Sequence, residues 1–211
     1  RNYQYTRLPC VCVSTISTCQ RLKGESMSNS TTPRIPAITP PYADNIQGSF
    51  DTVMPEGMPP LNIFRTVANN PRVLQRMVNG GLLDRGSISI QERELVILRT
   101  CARCNAEYEW GVHVAGFSHK TEFNDQQIGD TLKGNCDTNL WTNKHQLLFR
   151  LVDQLHETQT IDDKLWQQLA EHYANDQVIE LIMLAGLYHA VSFMVNATGI
   201  TNEEFAPTFN D

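Results

Sequence analysis

The sequence predicts an all-α protein, and three observations lead to that prediction. From Leu61 onward, apolar residues recur at the three- and four-residue spacing of helices. No segment shows the sustained apolar–polar alternation of a strand, and no pair of such segments flanks a hairpin turn. Ser89, with Glu92 three residues later, forms a capping-box signature, and Gly199 stands where a long apolar helix would end.

The helices can be placed in order along the chain. A short helix is expected within residues 46–53 of the proline-rich N-terminal segment. Pro71 suits the first turn of a helix and Asn105 suits an N-cap. Periodicity and these end signals predict further helices over residues 62–68, 72–83, 90–102, 106–118, 125–132, 144–156, 162–173 and 176–198. The expected architecture is a bundle of about six to eight helices with an extended N-terminal arm.

The composition changes along the chain and suggests three parts. Residues 1–26 carry four basic residues and one acid, which is typical of a transit-peptide fragment or of sequence upstream of a natural start at Met27. Residues 28–60 are rich in Ser, Thr and Pro, which predicts an arm that wraps a surface or stays mobile. We therefore expect a leader or non-native extension over 1–27, an arm over 28–60 and a helical domain over 61–211.

Composition and charge limit the classes of function. The net charge of −6 is spread without a Lys/Arg block, which argues against a nucleic-acid or anionic-membrane partner. The richest apolar run, Val178 to Val195, is interrupted by Glu180, His189 and Ser192, so we expect a buried helix rather than a membrane span. Cysteine is too sparse in the body for a disulfide scaffold. A reduced, cytoplasmic protein is expected, with organellar import if the leader is genuine.

The strongest candidate for a reactive site is the pair Glu109 and His113. On one helix they are four residues apart, so their side chains share a face about 6 Å apart. A carboxylate beside an imidazole raises the pKa of the histidine and orients its ring, which suits acid–base catalysis. The same spacing also occurs in surface pairs that only stabilise a helix. Apolar neighbours such as Tyr108 and Trp110 favour the catalytic interpretation, because burying two ionisable groups is costly.

Glu94 lies one helix earlier, in the apolar run Glu94-Leu-Val-Ile-Leu. It could belong to the same site, or it could be a first-turn acid that stabilises its own helix. Arg93 and Arg99 are possible ion-pair partners that would give it a structural role. Tyr188 and His189, in the last helix, could line a central pocket or form a satisfied core pair.

Cys101 and Cys104 form a Cys-x-x-Cys motif with two interpretations. Such a pair can be redox-active where a helix N-terminus or an arginine lowers the pKa of a thiol. Here the pair falls at the end of a helix, and cysteines in apolar helices are often only packing residues. Zinc would require a second ligand pair at suitable spacing, and Cys136 is isolated, so no metal site is predicted.

These motifs resemble the carboxymuconolactone decarboxylase family, whose relatives include the alkyl hydroperoxidase D (AhpD) proteins. The resemblance covers roughly residues 61–199. Its densest part runs from Glu94-Leu-Val-Ile-Leu to Ala106-Glu-Tyr-Glu-Trp-Gly-Val-His113, and the segment from Tyr173 to Ile200 resembles the C-terminal half of many members. The resemblance implies an AhpD-like helical fold that assembles into trimers or hexamers, with a site between helices.

The resemblance also assigns the candidate residues to positions of the family's motifs. In the hydroperoxidase branch, a Cys-x-x-Cys-x-x-x-His motif follows a glutamate that lies nineteen residues before the histidine. His113 matches that histidine and Glu94 that glutamate, but the two cysteine positions fall on Ala106 and Glu109. In the decarboxylase branch, a glutamate four residues before the histidine is typical, and Glu109 matches it.

Three functions remain open at the level of the sequence. The leading hypothesis is cofactor-free acid–base catalysis, a decarboxylation or isomerisation of a small carboxylated or lactone substrate. His113 would be the general acid–base, Glu109 would orient it, and Glu94 would be a second proton-relay group. The pocket would be lined by Tyr108, Trp110, Tyr188 and His189. The alternatives are a thiol-dependent hydroperoxidase using Cys101 and Cys104, which lie five residues before the family positions, and a non-catalytic oligomeric binding protein.

Overall fold

The computed structural model describes residues 32–210, and within that range the chain forms helices and no strand. The prediction of an all-α fold is therefore confirmed. The leader expected over 1–27, and the first four residues of the arm, lie outside the described residues. The helices are α1 (Asp44–Val53), α2 (Asn62–Val67), α3 (Pro71–Asn79), α4 (Ile90–Arg103), α5 (Glu107–Thr121), α6 (Asp125–Asp130), α7 (Asn143–Thr158), α8 (Asp163–His172) and α9 (Asn175–Thr198).

Helix α4 is the centre of the bundle, because every residue from Glu92 to Cys101 is buried. It packs against α5, α7 and α9. Its buried charges have partners: Glu92 lies 2.6 Å from the Lys144 amine, and Arg99 donates two hydrogen bonds to Asp153 at 2.7 and 2.8 Å. This pairing matters because a buried charge without a partner strongly destabilises a fold.

A tight turn joins α4 to α5 and sets the geometry of the site. The prediction that Asn105 caps α5 is wrong: Ala106 occupies the N-cap position, and no side chain caps the helix. Asn105 instead adopts a left-handed φ of 53°, a region that asparagine tolerates better than most residues. The chain thus reverses direction within a few residues, which places Glu94 on α4 opposite His113 on α5.

Two other helices end earlier than the sequence predicts. Helix α3 stops at Asn79 rather than near residue 83, because two glycines follow and Leu82 takes a positive φ of 50°. Helix α6 stops at Asp130 rather than near residue 132. By contrast, α9 ends as predicted at Gly199, whose φ of 65° suits glycine and whose N–H donates to the Val195 carbonyl.

The arm and the C-terminal segment lie along the bundle. The backbone N–H of Arg34 donates to the Thr198 carbonyl at 2.8 Å, and Phe50 of α1 is buried in the core. On the other side of α5, the Pro207 carbonyl lies 2.2 Å from where a Cβ at Gly111 would stand. Only glycine fits at that position, so the C-terminal segment can cover α5 closely.

Helix α9 has one face that no other described element covers. By length and composition it is the one helix in residues 32–210 that could cross a membrane, which is weak evidence because core helices pass the same test. Its inner face is buried in the bundle. The large apolar side chains on its outer face are Ile179, Ile182, Met183 and Phe193.

Candidate active site

His113 lies at the centre of a buried cluster formed by α4, α5 and α9. Its Nδ1 is 2.7 Å from Glu94 Oε2, and its Nε2 is 3.0 Å from the Tyr188 hydroxyl. Glu109, one turn earlier on α5, places Oε1 3.5 Å from the same Nε2. All four side chains are buried. The structure therefore brings together the three residues predicted as catalytic and one of those predicted to line the pocket.

The positions of the two glutamates differ from those expected. The four-residue spacing predicts that Glu109 orients His113, but its distance of 3.5 Å is at the limit of a hydrogen bond. Glu94 makes the short contact at 2.7 Å, so it is the residue that orients the ring. Helix spacing places Glu109 and His113 on one face of α5 without pointing one at the other. The packing of α4 against α5 points Glu94 directly at His113.

Arg93 and Phe117 complete the surroundings of the cluster. The Arg93 Nε donates to Glu94 Oε1 at 2.9 Å, and its guanidinium lies 5.4 Å from the Phe117 ring centroid. Phe117 stacks on His113 with 5.1 Å between ring centroids. The sequence pattern did not single out Phe117, although its position four residues after His113 could have indicated the contact. Two cations, Arg93 and His113, thus balance two anions, Glu94 and Glu109.

This charge balance keeps His113 protonated. Burial lowers the pKa of the imidazole, but the charges and hydrogen bonds of Glu94 and Glu109 outweigh burial and raise that pKa to about 9. At neutral pH, Nδ1–H therefore donates to Glu94, and Nε2–H points toward Tyr188 and Glu109. Burial and the two carboxylates raise the pKa of Tyr188 well above its usual value, so the phenol keeps its proton.

One atom of the cluster has an unused hydrogen-bonding capacity. Glu109 Oε2 is buried and has no hydrogen-bond partner among the described residues. Buried carboxylate oxygens are normally satisfied, and exceptions are common where a ligand or water binds. Glu109 is therefore the acceptor that remains available to a substrate beside the protonated His113.

Tyr108 and Trp110 do not contact His113, contrary to their expected role as pocket residues. The Tyr108 hydroxyl donates to Glu203 Oε1 at 2.7 Å, and the Trp110 Nε1–H donates to Thr131 Oγ1 at 3.0 Å. These side chains leave α5 on other faces than Glu109 and His113, because neighbouring helix positions are rotated by about 100°. They anchor α5 to the segments around it.

His189 also points away from the cluster, although it follows Tyr188 in sequence. Its Nε2 is 3.0 Å from Nδ1 of His156 on α7, and its Nδ1 is 2.8 Å from the Ala185 carbonyl. Of the four residues expected to line the pocket, Tyr188 alone reaches His113. His189 belongs to a second cluster at the α7–α9 interface.

The two thiols of the Cys-x-x-Cys motif lie in different surroundings. Cys101 is fully buried, and burial followed by the charge of Glu109 raises its pKa well above the usual value. Cys104 is half-buried, and burial raises its pKa too. Ser192 lowers both pKa values without reversing either shift. Raised pKa values give few thiolates at neutral pH, which is unlike a reactive redox pair.

A cavity of about 280 Å³ lies next to the cluster. Arg93 connects the two, because it lines the cavity and also donates to Glu94. Glu94, Glu109 and His113 do not line this cavity themselves. The other lining residues are Leu83, Asp84, Arg85, Gly86, Ile88, Ile90 and Glu180.

The fold and the site together define the class of this protein. It is an all-α bundle with a buried cluster of two carboxylates, an imidazole and a phenol between its central helix and two neighbouring helices.

No protein-family model and no curated protein sequence matches this chain. Solved structures do match. An AhpD core, described as a peroxidase-related protein from Ralstonia eutropha, has a TM-score of 0.67 and 16% identity, covering 81% of this chain and 94% of that one.

Two further structures support the same assignment. A peroxidase-related protein from Silicibacter sp. has a TM-score of 0.69 and 15% identity over 87% of this chain and all of its own. A cysteine-to-alanine variant of the debrominase Bmp8 in complex with 2,3,4-tribromopyrrole has a TM-score of 0.60 and 15% identity, covering 86% and 95% of the two chains. This chain therefore has the AhpD-like fold, which confirms the fold that the sequence resemblance implies.

Proposed function

We propose that this protein is a cofactor-free acid–base catalyst of the carboxymuconolactone decarboxylase type. The observation that carries the proposal is the pairing of a protonated His113, held by Glu94 at 2.7 Å, with the unpartnered carboxylate oxygen of Glu109. One group can donate a proton and the other can accept one within a single buried site. Groups with opposed protonation states in a water-poor site are the usual requirement for acid–base catalysis.

The chemistry follows from the positions of these atoms. Glu109 Oε2 removes a proton from a carbon next to a carbonyl group, while Nε2–H of His113 donates to the carbonyl oxygen on which negative charge develops. In an isomerisation, the proton returns to a different carbon. In a decarboxylation, the carbon–carbon bond to the carboxylate breaks and CO₂ leaves. The bonding electron pair enters the enolate, and His113 supplies the proton that the carbon receives. Glu94 keeps the imidazole oriented and stabilises its positive charge.

The cavity beside the cluster supports a small, carboxylated or lactone-type substrate. Its lining includes two arginines, Arg85 and Arg93, and two acids, Asp84 and Glu180. The Arg93 guanidinium already donates to Glu94 and to the Leu83 carbonyl, so Arg85 is the group suited to bidentate pairing with a substrate carboxylate. A substrate in the cavity would be connected to His113 through Arg93 and Glu94. A carboxylate that pairs with Arg85 is the feature of the substrate that this cavity favours.

A thiol-dependent hydroperoxidase is the second candidate, since two of the fold neighbours are described as peroxidase-related. The family positions for the thiols hold Ala106 and Glu109, and the pKa values of Cys101 and Cys104 are raised. These observations favour the acid–base proposal. The convergence of Glu94, Glu109 and His113 also argues against a non-catalytic scaffold, because burying ionisable groups is costly where no function requires it.

Two substrate panels distinguish these functions. Purified protein is assayed with small enol-lactones and β-keto acids, and separately for peroxide consumption with a dithiol reductant. We expect turnover in the first panel, with kcat/KM lowered at least about 100-fold in His113→Gln and unchanged in Cys101→Ser, because a positioned acid or base contributes that much. Normal turnover by His113→Gln would exclude the proposed site. Peroxide consumption that is lost in Cys101→Ser and Cys104→Ser would establish the hydroperoxidase instead.

We also propose that the chain self-associates through the outer face of α9. Ile179, Met183 and Phe193 each expose more than half of their surface, at spacings that place them along one side of the helix. An apolar stripe of this kind usually marks an interface. The trimers or hexamers implied by the family resemblance favour a second copy of the chain as the occupant.

The oligomeric state measured by light scattering after size exclusion tests this assembly. We expect a multiple of the chain mass for the parent protein and a shift to the monomer for Met183→Glu, because burying a carboxylate in an apolar interface is costly. Met58→Glu changes a methionine of the arm that is also exposed, and it should leave the assembly intact. A monomeric parent protein, or an unaltered Met183→Glu oligomer, would disprove the interface.

A further inference from the structure

Cys104, His156 and His189 form a cluster that the proposed reaction does not use. They come from the end of α4, the last turns of α7 and the middle of α9, and all three are half-buried. Cys104 Sγ is 3.9 Å from His156 Nδ1, which is 3.0 Å from His189 Nε2. The three atoms all lie within 4.8 Å of one another. One thiol and two imidazoles thus converge on a single point from three helices.

The tautomer of His189 suits metal coordination. Nδ1 of His189 lies 2.8 Å from the Ala185 carbonyl, which can only accept, so Nδ1 carries the proton and Nε2 presents a lone pair. A hydrogen bond from the second ring nitrogen to a backbone carbonyl is the usual support of a metal-bound histidine. Because Nε2 of His189 is the acceptor, Nδ1 of His156 donates its hydrogen across the 3.0 Å contact. An ion bound between the two rings would take the place of that hydrogen, and His156 would carry its proton on Nε2 instead.

The distances are close to those that a tetrahedral ion requires. Zinc bonds of about 2.05 Å to nitrogen and about 2.3 Å to sulfur place two nitrogens about 3.3 Å apart, and sulfur and nitrogen about 3.6 Å apart. Two of the three distances, 3.0 Å between the rings and 3.9 Å from Cys104 to His156, differ from these by only about 0.3 Å. The third, from the Cys104 sulfur to His189, is within 4.8 Å, so ion binding would draw the sulfur toward His189.

We propose that Cys104, His156 and His189 bind one Zn²⁺ ion, with the fourth coordination position left to water or a small ligand. One thiolate and two imidazoles are typical ligands of this borderline-soft ion. The Asn196 amide donates to the Cys104 carbonyl at 2.8 Å and fixes the cysteine backbone to α9. Binding replaces the thiol proton by a Zn–S bond and releases that proton.

This site escaped the sequence analysis because its ligands are not neighbours in sequence. The Cys-x-x-Cys motif suggests Cys101 as the partner of Cys104, so a second pair of ligands is expected among the other cysteines. Cys101 is fully buried in α4, whereas Cys104 caps the end of that helix and is half-buried beside His156. The two other metal ligands, His156 and His189, come instead from α7 and α9. A zinc-bound Cys104 would also be removed from any peroxidase reaction.

Metal titration of the chelator-stripped full-length protein tests the proposal. Zn²⁺ affinity is measured by competition with a chromophoric chelator, and Co²⁺ is used as a spectroscopic probe of thiolate coordination. We expect one Co²⁺ per chain with a thiolate charge-transfer band that Cys104→Ser abolishes. His156→Gln and His189→Gln should weaken Zn²⁺ binding at least about 100-fold, since even indirect supports of a metal contribute 10- to 100-fold. The affinity should also rise with pH, because Cys104 must lose its proton.

Matched variants identify the ligands and control for folding. Cys136→Ser and His172→Gln change a half-buried cysteine and an exposed histidine outside the cluster and should bind like the parent protein. Cys101→Ser should also keep the site. Zn²⁺ should raise the melting temperature of the parent protein but not of Cys104→Ser. Loss of the charge-transfer band in Cys101→Ser, its persistence in Cys104→Ser, or the absence of stoichiometric binding would overturn the proposal.

Discussion

The free energy of unfolding is expected to fall by roughly 3 kcal/mol as the pH rises from 6.5 to about 9. Glu94 and Glu109 raise the pKa of His113 from 6.5 to about 9 in the folded state, so the native state binds this proton more tightly than the unfolded state does. The stabilisation is fully present below pH 6.5 and is lost as the pH passes through the folded-state pKa. Urea denaturation at a series of pH values measures the effect.

The His113→Gln variant should lack this fall, because the titrating group is gone. His119→Gln, which changes an exposed histidine on the same helix, should keep it. Burial lowers the pKa values of His145 and His156, so their effect appears below pH 6.5. Burial raises the pKa values of Cys101, Cys104 and Cys136, so these thiols add a fall near pH 9 that His113→Gln retains. A parent protein with a flat profile between pH 6.5 and about 8 would contradict a protonated His113, and so would a His113→Gln profile that falls over that range.

Replacing Arg99 by methionine is expected to cost about 3–5 kcal/mol of folding free energy. Arg99 is 1% exposed, and its guanidinium donates to both carboxylate oxygens of Asp153 at 2.7 and 2.8 Å. It also donates to the backbone carbonyls of Thr131 and Gly134, each at 3.0 Å, and to that of Lys133. Methionine fills a similar volume but leaves Asp153 and these carbonyls without their donor.

Arg150→Met provides the matched control for this prediction. Arg150 is exposed on α7, the same helix as Asp153, and donates to the Gln168 side chain. Exposed polar pairs contribute at most about 1 kcal/mol, so this variant should unfold close to the parent protein. Equal denaturation midpoints for the two variants would show that Arg99 does not join α4 to α7. The comparison also distinguishes the free energy of unfolding lost with a buried arginine from that lost with an exposed positive charge.

Much of the fold could be predicted because helix patterns are local. The period of the apolar residues and the capping box at Ser89, whose side chain accepts from the Glu92 N–H, determine where α4 begins. Gly199 likewise determines where α9 ends. A helix end is predicted wrongly where the residue at that position suits two conformations. Asn105 suits an N-cap and a left-handed turn equally well, and the packing of α5 against α4 selects the turn.

The site was less predictable, because spacing along one helix does not determine distances between helices. The sequence places Glu109 and His113 on one face and identifies Glu94 only through a family resemblance. The sequence offers Arg93 and Arg99 as possible ion-pair partners of Glu94, and the fold selects Arg93, because Arg99 pairs with Asp153. Spacing along one helix does not make that choice.

The sequence by itself determined the helical class, the order of the elements and the three ionisable residues of the candidate site. Only the tertiary structure decided which glutamate holds His113, that Tyr188 completes the cluster, and that Tyr108 and Trp110 face other segments. It also placed Cys104 beside two histidines. The physical reason is that periodicity records which face of a helix is buried, whereas hydrogen bonds and metal coordination depend on distances between helices.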